Sequence, residues 1–435
     1  MRVVVIGAGL AGLFTASELI AGGVDEVVVV DAAPEPGGIA RTIRRDGFSV
    51  EPGAGSFSLP HPGLGPILSR AGVETTPARG AGARYVYVRG RLVRLARSPG
   101  MVLTPALPLG AKLRALGEVL VRPSDRDEDE TVADFFRRRF GDRTGKLVAW
   151  LMAAGVFAGD PERLSVDAAF PMLPALEREH RSVVRGALER RRYQAPDWAR
   201  SRAHVPSEGM DGLADSLASS LGDRFLSGFQ AESVRLEGGS WVVEGPDRLR
   251  AETLVIALRP ECAGRLIGGD VADSVAGAMA APVVVVGLGG SGPSPAPDGL
   301  GALVGPGEGL STLGVLFESS YAPSRAPRRS WLVKVIAGGA TNPGVADQSE
   351  EPLVSRIRDE VSAILETEID PDFVEVVRHR PGIPQYPQGH RDWLARLDVA
   401  RQSLPGLHLT GWGYRGVGLT GLAADATRVS REIAR

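Results

Sequence analysis

The first 31 residues constrain the fold of this chain more than any other stretch. The apolar run RVVVIG leads to a glycine-rich turn, then to a segment with helical spacing that extends to Ile20, and then to a second apolar run, EVVVVD, ending at Asp31. Two apolar runs on either side of a helical segment predict a strand, a helix and a second, parallel strand. The chain therefore begins as a doubly wound α/β sheet begins.

The turn after the first strand has the spacing GxGxxG at Gly7, Gly9 and Gly12. In a dinucleotide-binding turn the first glycine permits the tight turn, the second lets backbone amides approach a pyrophosphate, and the third lets helix pack on strand. The helix N-terminus adds a partial positive charge that faces the phosphates. Asp31 is placed to accept hydrogen bonds from ribose hydroxyls. These features together predict a dinucleotide site.

The same spacing occurs twice more, so its context must decide what it indicates. Residues 287–292 follow an apolar run, but Pro293, Pro295 and Pro297 exclude the helix that would hold a phosphate, and we predict a turn there. Residues 416–421 join a short apolar run to a helical segment, and no further strand follows. That copy cannot begin a second dinucleotide unit, but its helix N-terminus suits the stabilisation of negative charge on a reduced cofactor.

Composition narrows the function classes. The 435 residues include 50 basic and 52 acidic ones, so no excess of positive charge predicts nucleic-acid binding. The single cysteine, Cys262, excludes an internal disulfide, and the histidines lack the spacing of a zinc site, so no metal is expected. The first strand begins near residue 2, which leaves no room for a secretory signal and favours the cytoplasmic side.

Three kinds of segment alternate along the chain. Residues 1–57, 205–260 and 400–435 carry the runs of buried strands and form a predicted Rossmann-like cofactor domain. Residues 58–91 and 261–399 contain strand-like runs between Gly/Pro-rich turns, which predict a mixed-sheet substrate domain. Residues 92–204 are rich in arginine and helical in pattern, and we predict a helical insertion there. The predicted fold class is α/β.

A second signal, GGIART at residues 37–42, distinguishes between cofactors. The order GxGxxG, acid, GG, arginine and threonine resembles the N-terminal signature of the FAD-containing family that includes flavin amine oxidases, carotenoid desaturases and protoporphyrinogen oxidases. EPGAGSF (residues 51–57) and GLHLTGWGYRGVGL (residues 406–419) resemble two further FAD-contacting segments of that family. The resemblance implies non-covalent FAD rather than a nicotinamide. The implied cofactor-binding residues are Gly7, Ala8, Gly9, Leu10, Ala11, Gly12, Asp31, Ala32, Gly38, Arg41, Gly53, Ala54, Gly55, Ser56, Val234, Gly411, Trp412, Val417, Gly418 and Leu419.

Longer stretches narrow the resemblance. ARYVYVRGRL, GVFAGDPERLSVDAAFPMLPALEREHRS and GIPQYPQGH are similar to oxygen-dependent protoporphyrinogen oxidases of the bacterial kind. This similarity implies conversion of protoporphyrinogen IX to protoporphyrin IX with dioxygen, hydrogen peroxide as by-product, and an insertion that contacts a membrane surface. It also implies the roles of five residues. Arg84 would pair with a substrate propionate, Gly155 would lie close to the reacting methylene bridge, and Leu303, Leu316 and Ile336 would sandwich the macrocycle. For each of the three apolar residues, core packing is the alternative.

Several alternatives stay open. Trp412 and Leu422 depart from the usual C-terminal pattern, so coproporphyrinogen III or another metabolite is an alternative substrate. Amine oxidation is a second candidate, although the run AAPVVVVGL lacks the lysine that amine oxidases usually keep there. A porphyrin escort that holds FAD without turnover is the non-enzyme alternative. Peripheral contact with the inner membrane, based on residues 99–122 and 178–193, and a homodimeric assembly are hypotheses.

Overall fold

The structure is a computed structural model that describes residues 1–95, 107–124, 128–193 and 202–434. The predicted membrane-contacting stretch 99–122 therefore lies partly outside the described residues. No helix within the described ranges is long and apolar enough to cross a membrane.

The strands, in chain order, are β1 (Arg2–Ile6), β2 (Glu26–Asp31), β3 (Ile43–Arg45), β4 (Phe48–Val50), β5 (Phe57–Leu59), β6 (Thr75–Pro77), β7 (Arg84–Val88), β8 (Arg91–Leu95), β9 (Arg202–Pro206), β10 (Phe225–Ser227), β11 (Ser233–Glu237), β12 (Ser240–Glu244), β13 (Leu249–Ala251), β14 (Thr253–Ile256), β15 (Met279–Ser291), β16 (Gly301–Val304), β17 (Thr312–Leu316), β18 (Ser330–Gly338), β19 (Phe373–Gln385) and β20 (Leu407–Leu409).

The α-helices are α1 (Leu10–Ala21), α2 (Leu64–Arg70), α3 (Leu109–Leu116), α4 (Val132–Phe140), α5 (Asp142–Phe157), α6 (Val166–Ala169), α7 (Met172–His180), α8 (Val183–Tyr193), α9 (Gly209–Leu221), α10 (Pro260–Ile267), α11 (Gly269–Val275), α12 (Glu318–Tyr321), α13 (Glu350–Leu365), α14 (His390–Gln402) and α15 (Leu419–Ile433). Short 3₁₀ turns occur at Gly117–Leu120, Gly222–Arg224, Pro323–Arg325 and Pro343–Asp347.

A five-stranded parallel sheet has the order β10-β2-β1-β14-β20. Side chains alternate between its faces, so Val3 and Val5 join one apolar core with α1, α9 and α15, whereas Val4 and Ile6 join a second core on the opposite face. Burial on both faces explains why these strands read as continuous valine runs. The predicted Rossmann-like sheet and the α/β class are confirmed.

A seven-stranded mixed sheet has the order β19-β15-β18-β17-β16-β7-β8. Its pairings are antiparallel except for the parallel pair of β7 and β16. Helix α13 packs through Leu353 and Ile357 on one face, in a core shared with Val335 and Val284. The opposite face is therefore the one that remains for the helices and loops of the other parts of the chain.

Helices α3 to α8 lie between β8 and β9 and have an apolar core of their own, which includes Phe135, Phe136 and Phe157. Strand β8 crosses the predicted start of the insertion at residue 92, and β9 crosses its predicted end at residue 204. Both strands form because they have partners elsewhere: β8 pairs with β7, and β9 pairs with β5 and β6.

The turn predicted at residues 287–292 is wrong for most of its length. Gly287 and Gly289 lie inside β15, and the strand ends only at Ser291. A Cβ at Gly287 would lie 2.8 Å from the side chain of Val50, and one at Gly289 would lie 2.7 Å from the Phe48 ring. These two glycines therefore permit the β3–β4 hairpin to pack closely on the sheet, which is a tertiary requirement rather than a local one.

Candidate functional site

The N-terminal glycine turn is closed by contacts among its own glycines. A Cβ at Gly12 would lie 1.8 Å from the carbonyl oxygen of Gly7, and Gly7 has a φ of +108° that favours glycine. Asp31 accepts hydrogen bonds from Ala8 N (2.6 Å) and from Ala33 N (2.8 Å). Since a carboxylate has about four acceptor sites, Asp31 can hold the turn and still accept bonds from a ligand.

The GGIART segment lies directly against that turn. Gly37 N donates to Ala8 O at 2.8 Å, and a Cβ at Gly38 would lie 3.4 Å from the Cα of Gly9. The side chain of Arg41 donates to Gly38 O at 2.9 Å and forms a half-exposed ion pair with Glu35 at 3.7 Å. The two glycine signals therefore form one small-residue surface, with the Arg41 cation beside it.

The C-terminal motif arrives at the same place from the other end of the chain. Helix α15 begins at Leu419, and Leu10 and Leu419, the first residues of α1 and α15, share one apolar core. A Cβ at Gly411 would lie 3.6 Å from the Cβ of Ala11, and one at Gly421 would lie 2.5 Å from the backbone of Gly416. The third GxGxxG copy thus closes on itself as the first one does.

The residues around these helix ends fit an FAD molecule. A Cβ at Gly9 would meet only Gly37 O, at 4.0 Å, and one at Gly418 would meet nothing within 4 Å. Ala32, Gly38 and Ala54 are exposed at the same junction. No neighbouring atom therefore explains why Gly9 and Gly418 are glycines. A bound pyrophosphate needs such open glycines beside a helix N-terminus, and a bound ribose needs a nearby acid. Of the other predicted residues, Val234 packs in the core beside Val30.

The predicted substrate residues lie on one face of the seven-stranded sheet. The register pairs Arg84 with Gly301 and Gly301 with Leu316, and it pairs Leu303 with Gly314 and Gly314 with Ile336. Paired residues project to the same side, and so do residues two apart on one strand. Arg84, Leu303, Leu316 and Ile336 therefore share a face, and we call this face the slot face.

Gly155 approaches the slot face from the last turn of α5. A Cβ at Gly155 would lie 2.9 Å from the Cδ1 atom of Leu303, and the neighbouring Val156 is partly exposed. Arg84 is exposed at the start of β7, and its side chain makes no hydrogen bond or ion pair with the residues that the structure describes. The structure thus brings Gly155 and Leu303 into contact and places on the same face a cation that no described residue pairs.

Lys334 is a residue that the sequence patterns missed. It is fully buried in β18 on the slot face, in register with Leu316, and its Nζ lies 3.1 Å from Glu318 Oε1. The chain has only two other lysines, Lys112 and Lys146, so a lone lysine within the apolar run SWLVKVIAG was a usable signal.

Two buried carboxyl groups beside Lys334 have opposite pKa shifts. Burial raises the pKa of Glu51 to about 7, although Arg325 and Lys334 oppose the shift. Burial would also raise the pKa of Glu318, but the charges of Lys334 and Arg325 outweigh it and hold that pKa at about 2. Glu318 is therefore a permanent anion, and Glu51 titrates near neutral pH.

The GIPQYPQGH segment supports the C-terminal motif. The Tyr386 hydroxyl donates to Trp412 O at 2.6 Å, and His390 Nε2 donates to Tyr414 O at 2.9 Å. Burial raises the pKa of Tyr386 and lowers that of His390, so both remain neutral donors. The loop that contains Trp412 is consequently held by two aromatic side chains whose position in the site the sequence did not reveal.

Comparisons with known proteins bear on the family and the fold of this chain. The sequence model of the family described as "Flavin containing amine oxidoreductase" matches residues 10–434. A chloroplastic protoporphyrinogen oxidase from Oryza sativa subsp. japonica is 30% identical, with 96% of this chain and 85% of the relative covered. A coproporphyrinogen III oxidase from Bacillus subtilis (strain 168) is 24% identical, with 96% and 94% covered. A crystal structure of a protein from Exiguobacterium sp. 255-15, assigned as a protoporphyrinogen oxidase, superposes with a TM-score of 0.83 at 20% identity over 100% of this chain and 98% of that one.

Proposed function

The chain belongs to the family of flavin-containing amine oxidoreductases and uses FAD, and from that premise we propose that it oxidises protoporphyrinogen IX to protoporphyrin IX with dioxygen as acceptor. Hydrogen peroxide is the by-product. The observation that carries the proposal is the slot face, where Gly155 meets Leu303 and the exposed Arg84 lies on the same side of the sheet. We also propose that the FAD-binding residues predicted from the sequence bind FAD in this protein.

The proposed roles follow from the size and charge of each side chain. Gly155 has no side chain that would obstruct a flat macrocycle at the end of α5, and a methyl group of Leu303 lies where its Cβ would be. Leu303, Leu316 and Ile336 offer an apolar surface to the pyrrole rings. Arg84 can bind a propionate through a charge-assisted hydrogen bond, which fixes the orientation of the ring.

The proposed slot contains no side chain that must act as a base. FAD supplies the two-electron oxidation of carbon. In a porphyrinogen the pyrrole nitrogens donate electron density to the bridge carbon as it is oxidised, so the protein has to bind, orient and exclude water. Lys334, the one lysine on the slot face, is occupied by Glu318 and by backbone carbonyls. The alternative of amine oxidation is disfavoured for a different reason: β15, the strand on which amine oxidases usually keep a lysine, has none here.

The test is anaerobic mixing of the FAD-loaded protein with protoporphyrinogen IX and, in parallel, with coproporphyrinogen III. We expect protoporphyrinogen IX to bleach the flavin absorbance faster. The Bacillus relative makes coproporphyrinogen III the second candidate, and preferential bleaching by that compound would replace the proposed substrate. A flavin that neither compound bleaches would contradict the proposal and would support the porphyrin escort.

Replacement of Arg84 tests the anchoring role. Arg84→Leu should raise KM for the porphyrinogen about 10- to 100-fold with a smaller change in kcat, because a hydrogen bond to a charged group contributes about 1.5–3 kcal/mol. Arg94→Leu is the matched control, since Arg94 is an exposed arginine on the opposite face of the same β7–β8 hairpin. Equal effects of the two substitutions would remove Arg84 from the substrate site.

We also propose that the insertion lies on an anionic membrane surface. Leu109, Leu113, Leu116 and Leu120 are spaced along one side of α3 and the following 3₁₀ turn and are 56% to 84% exposed. Ala111, on the same helix, packs in a cluster with Leu303 of the slot face. An apolar surface one helix away from the slot suits the exchange of a poorly soluble macrocycle with lipid.

Flotation with anionic liposomes at low salt tests this contact. The wild-type protein should float, and Leu113→Asp combined with Leu120→Asp should abolish flotation without loss of bound FAD. Val399→Asp is the control, because Val399 is 65% exposed on the distant helix α14. Flotation of the double variant, or none by the wild-type protein, would contradict the membrane proposal.

A further inference from the structure

A loop with few large side chains lies against the seven-stranded sheet. Residues 51–56 connect β4 to β5, and two of the six, Gly53 and Gly55, are glycines. Glycine loses more backbone freedom on ordering than any other residue, so such a loop needs external contacts to keep one conformation. The same loop is part of the proposed FAD site.

Donors from the mixed sheet and from an adjoining turn hold four carbonyl groups of this loop. Lys334 Nζ donates to Glu51 O at 2.9 Å and to Gly53 O at 3.2 Å. His379 Nε2 donates to Pro52 O at 3.0 Å, and the Arg325 guanidinium donates to Gly55 O. A carbonyl oxygen can only accept, so the direction of each bond is determined. The loop is thus fixed from one side by three side chains that are distant from it in sequence.

The two cations among these donors belong to a closed set of charges. We call Glu51, Glu318, Arg325 and Lys334 the loop cluster; each is at most 5% exposed. Arg325 pairs with Glu318 and lies 3.7 Å from Glu51, and Lys334 lies 3.1 Å from Glu318. With two acids and two bases, the cluster can be neutral while its cations still have protons to donate to the carbonyls.

We infer that Lys334 is a positioning residue that holds the backbone of residues 51–56 in the conformation that binds FAD, with Glu318 as its counter-charge. The inference rests on the proposed role of this loop in the FAD site. Lys334 acts through the loop and not on the substrate, since Glu318 and two carbonyls occupy its ammonium group. Charged donors suit this task because their bonds to carbonyl groups are about twice as strong as neutral ones.

The test separates loop positioning from stability. Lys334→Met removes the donor and leaves Glu318 short of one counter-charge, so it should lower both the unfolding midpoint and the affinity for FAD. The double variant Lys334→Met/Glu318→Gln removes both charges, so its unfolding midpoint should return toward the wild-type value. Lys146→Met, at an exposed lysine on α5, is the control.

Two measurements on apoprotein are required. In FAD titrations we expect the dissociation constant to rise about tenfold or more in both Lys334 variants and to stay unchanged in Lys146→Met. In hydrogen exchange without FAD, peptides that cover residues 51–57 should exchange faster in both Lys334 variants. Wild-type affinity in Lys334→Met, or recovered affinity in the double variant, would overturn the inference alone. A wild-type chain that does not bind FAD would overturn the proposed function as well.

Discussion

Two buried ionic clusters occupy different regions of the molecule, and they differ in what their cations bind. In the insertion, Arg139 is fully buried and bonds to Glu118, Glu177 and the carbonyls of Val121 and Arg181. All of these partners belong to the insertion itself. We call Arg138, Arg139, Glu118 and Glu177 the insertion cluster. The cations of the loop cluster, in contrast, bind the backbone of a segment that belongs to another part of the fold.

The difference separates stability from positioning. A cluster whose partners all lie within one unit joins the elements of that unit, so its loss should affect the stability of the unit. A cluster that donates to a glycine-rich loop restrains that loop, so its loss should also affect what the loop binds. A buried ion pair is by itself weak evidence of net stabilisation, so the two clusters are best distinguished by the effect of removing one charged partner from each.

The largest expected effect comes from the insertion cluster. Arg139→Met should lower the free energy of unfolding by about 3–5 kcal/mol, because it leaves Glu118 buried without its main counter-charge. FAD affinity of the folded fraction should be unchanged. Urea unfolding and FAD titration measure the two quantities, with Arg143→Met, an exposed arginine on α5, as the control. A loss of FAD affinity as large as that expected for Lys334→Met would remove the contrast between the clusters.

The next largest effect is a pH dependence of the free energy of unfolding, which Glu51 of the loop cluster causes. The Glu51 pKa is about 7 in the folded chain against an ordinary 4.5, so between these values the folded state keeps a proton that the unfolded chain has released. Stability from this group is therefore present below pH 4.5 and is lost as the pH rises to 7, by up to about 3 kcal/mol.

Glu51→Gln should abolish this slope. The difference in unfolding free energy between Glu51→Gln and the wild-type apoprotein should increase from pH 5 to pH 8, as measured by urea unfolding at four pH values. Parallel curves for the two proteins would show that Glu51 is ionised throughout this range and would contradict the pKa shift.

The smallest effect concerns His379, the third side chain that anchors the loop. His379→Leu removes one hydrogen bond to Pro52 O, which should weaken FAD binding about fivefold, corresponding to about 1 kcal/mol. Titration of the apoprotein compares it with Lys334→Met. If His379→Leu weakens binding more than Lys334→Met does, the bonds from Lys334 are not the main restraint on the loop.

The N-terminal glycine turn was predictable because its determinants are local. Strand β1, the glycines and α1 follow one another within the first 21 residues, and the acid that closes the turn comes only ten residues later. Hydrophobic period and glycine spacing both report such short-range features. The residues of the slot face were predicted only from the resemblance to a known family. The face is assembled from β7, β16, β17 and β18, and no local sequence pattern shows that these strands pair.

The features that the sequence patterns mispredicted or missed depend on contacts between residues that are far apart in the chain. Gly287 and Gly289 were predicted in a turn because three prolines come after them, but the contacts that require glycine there come from Phe48 and Val50. The loop cluster was missed because its members come from positions 51, 318, 325 and 334, and no spacing relates them. Only the isolation of Lys334 within an apolar strand could have indicated a buried cation with partners elsewhere.

The contact of Gly411 with Ala11, and of α15 with α1, has a consequence for biosynthesis. The N-terminal glycine turn emerges from the ribosome early. The residues that pack against it, near 411–421, emerge some 400 residues later. If the flavin binds at these residues as proposed, a nascent chain cannot complete the binding site until the residues near 421 have been translated. Retention of the flavin would then report that two segments some 400 residues apart have met.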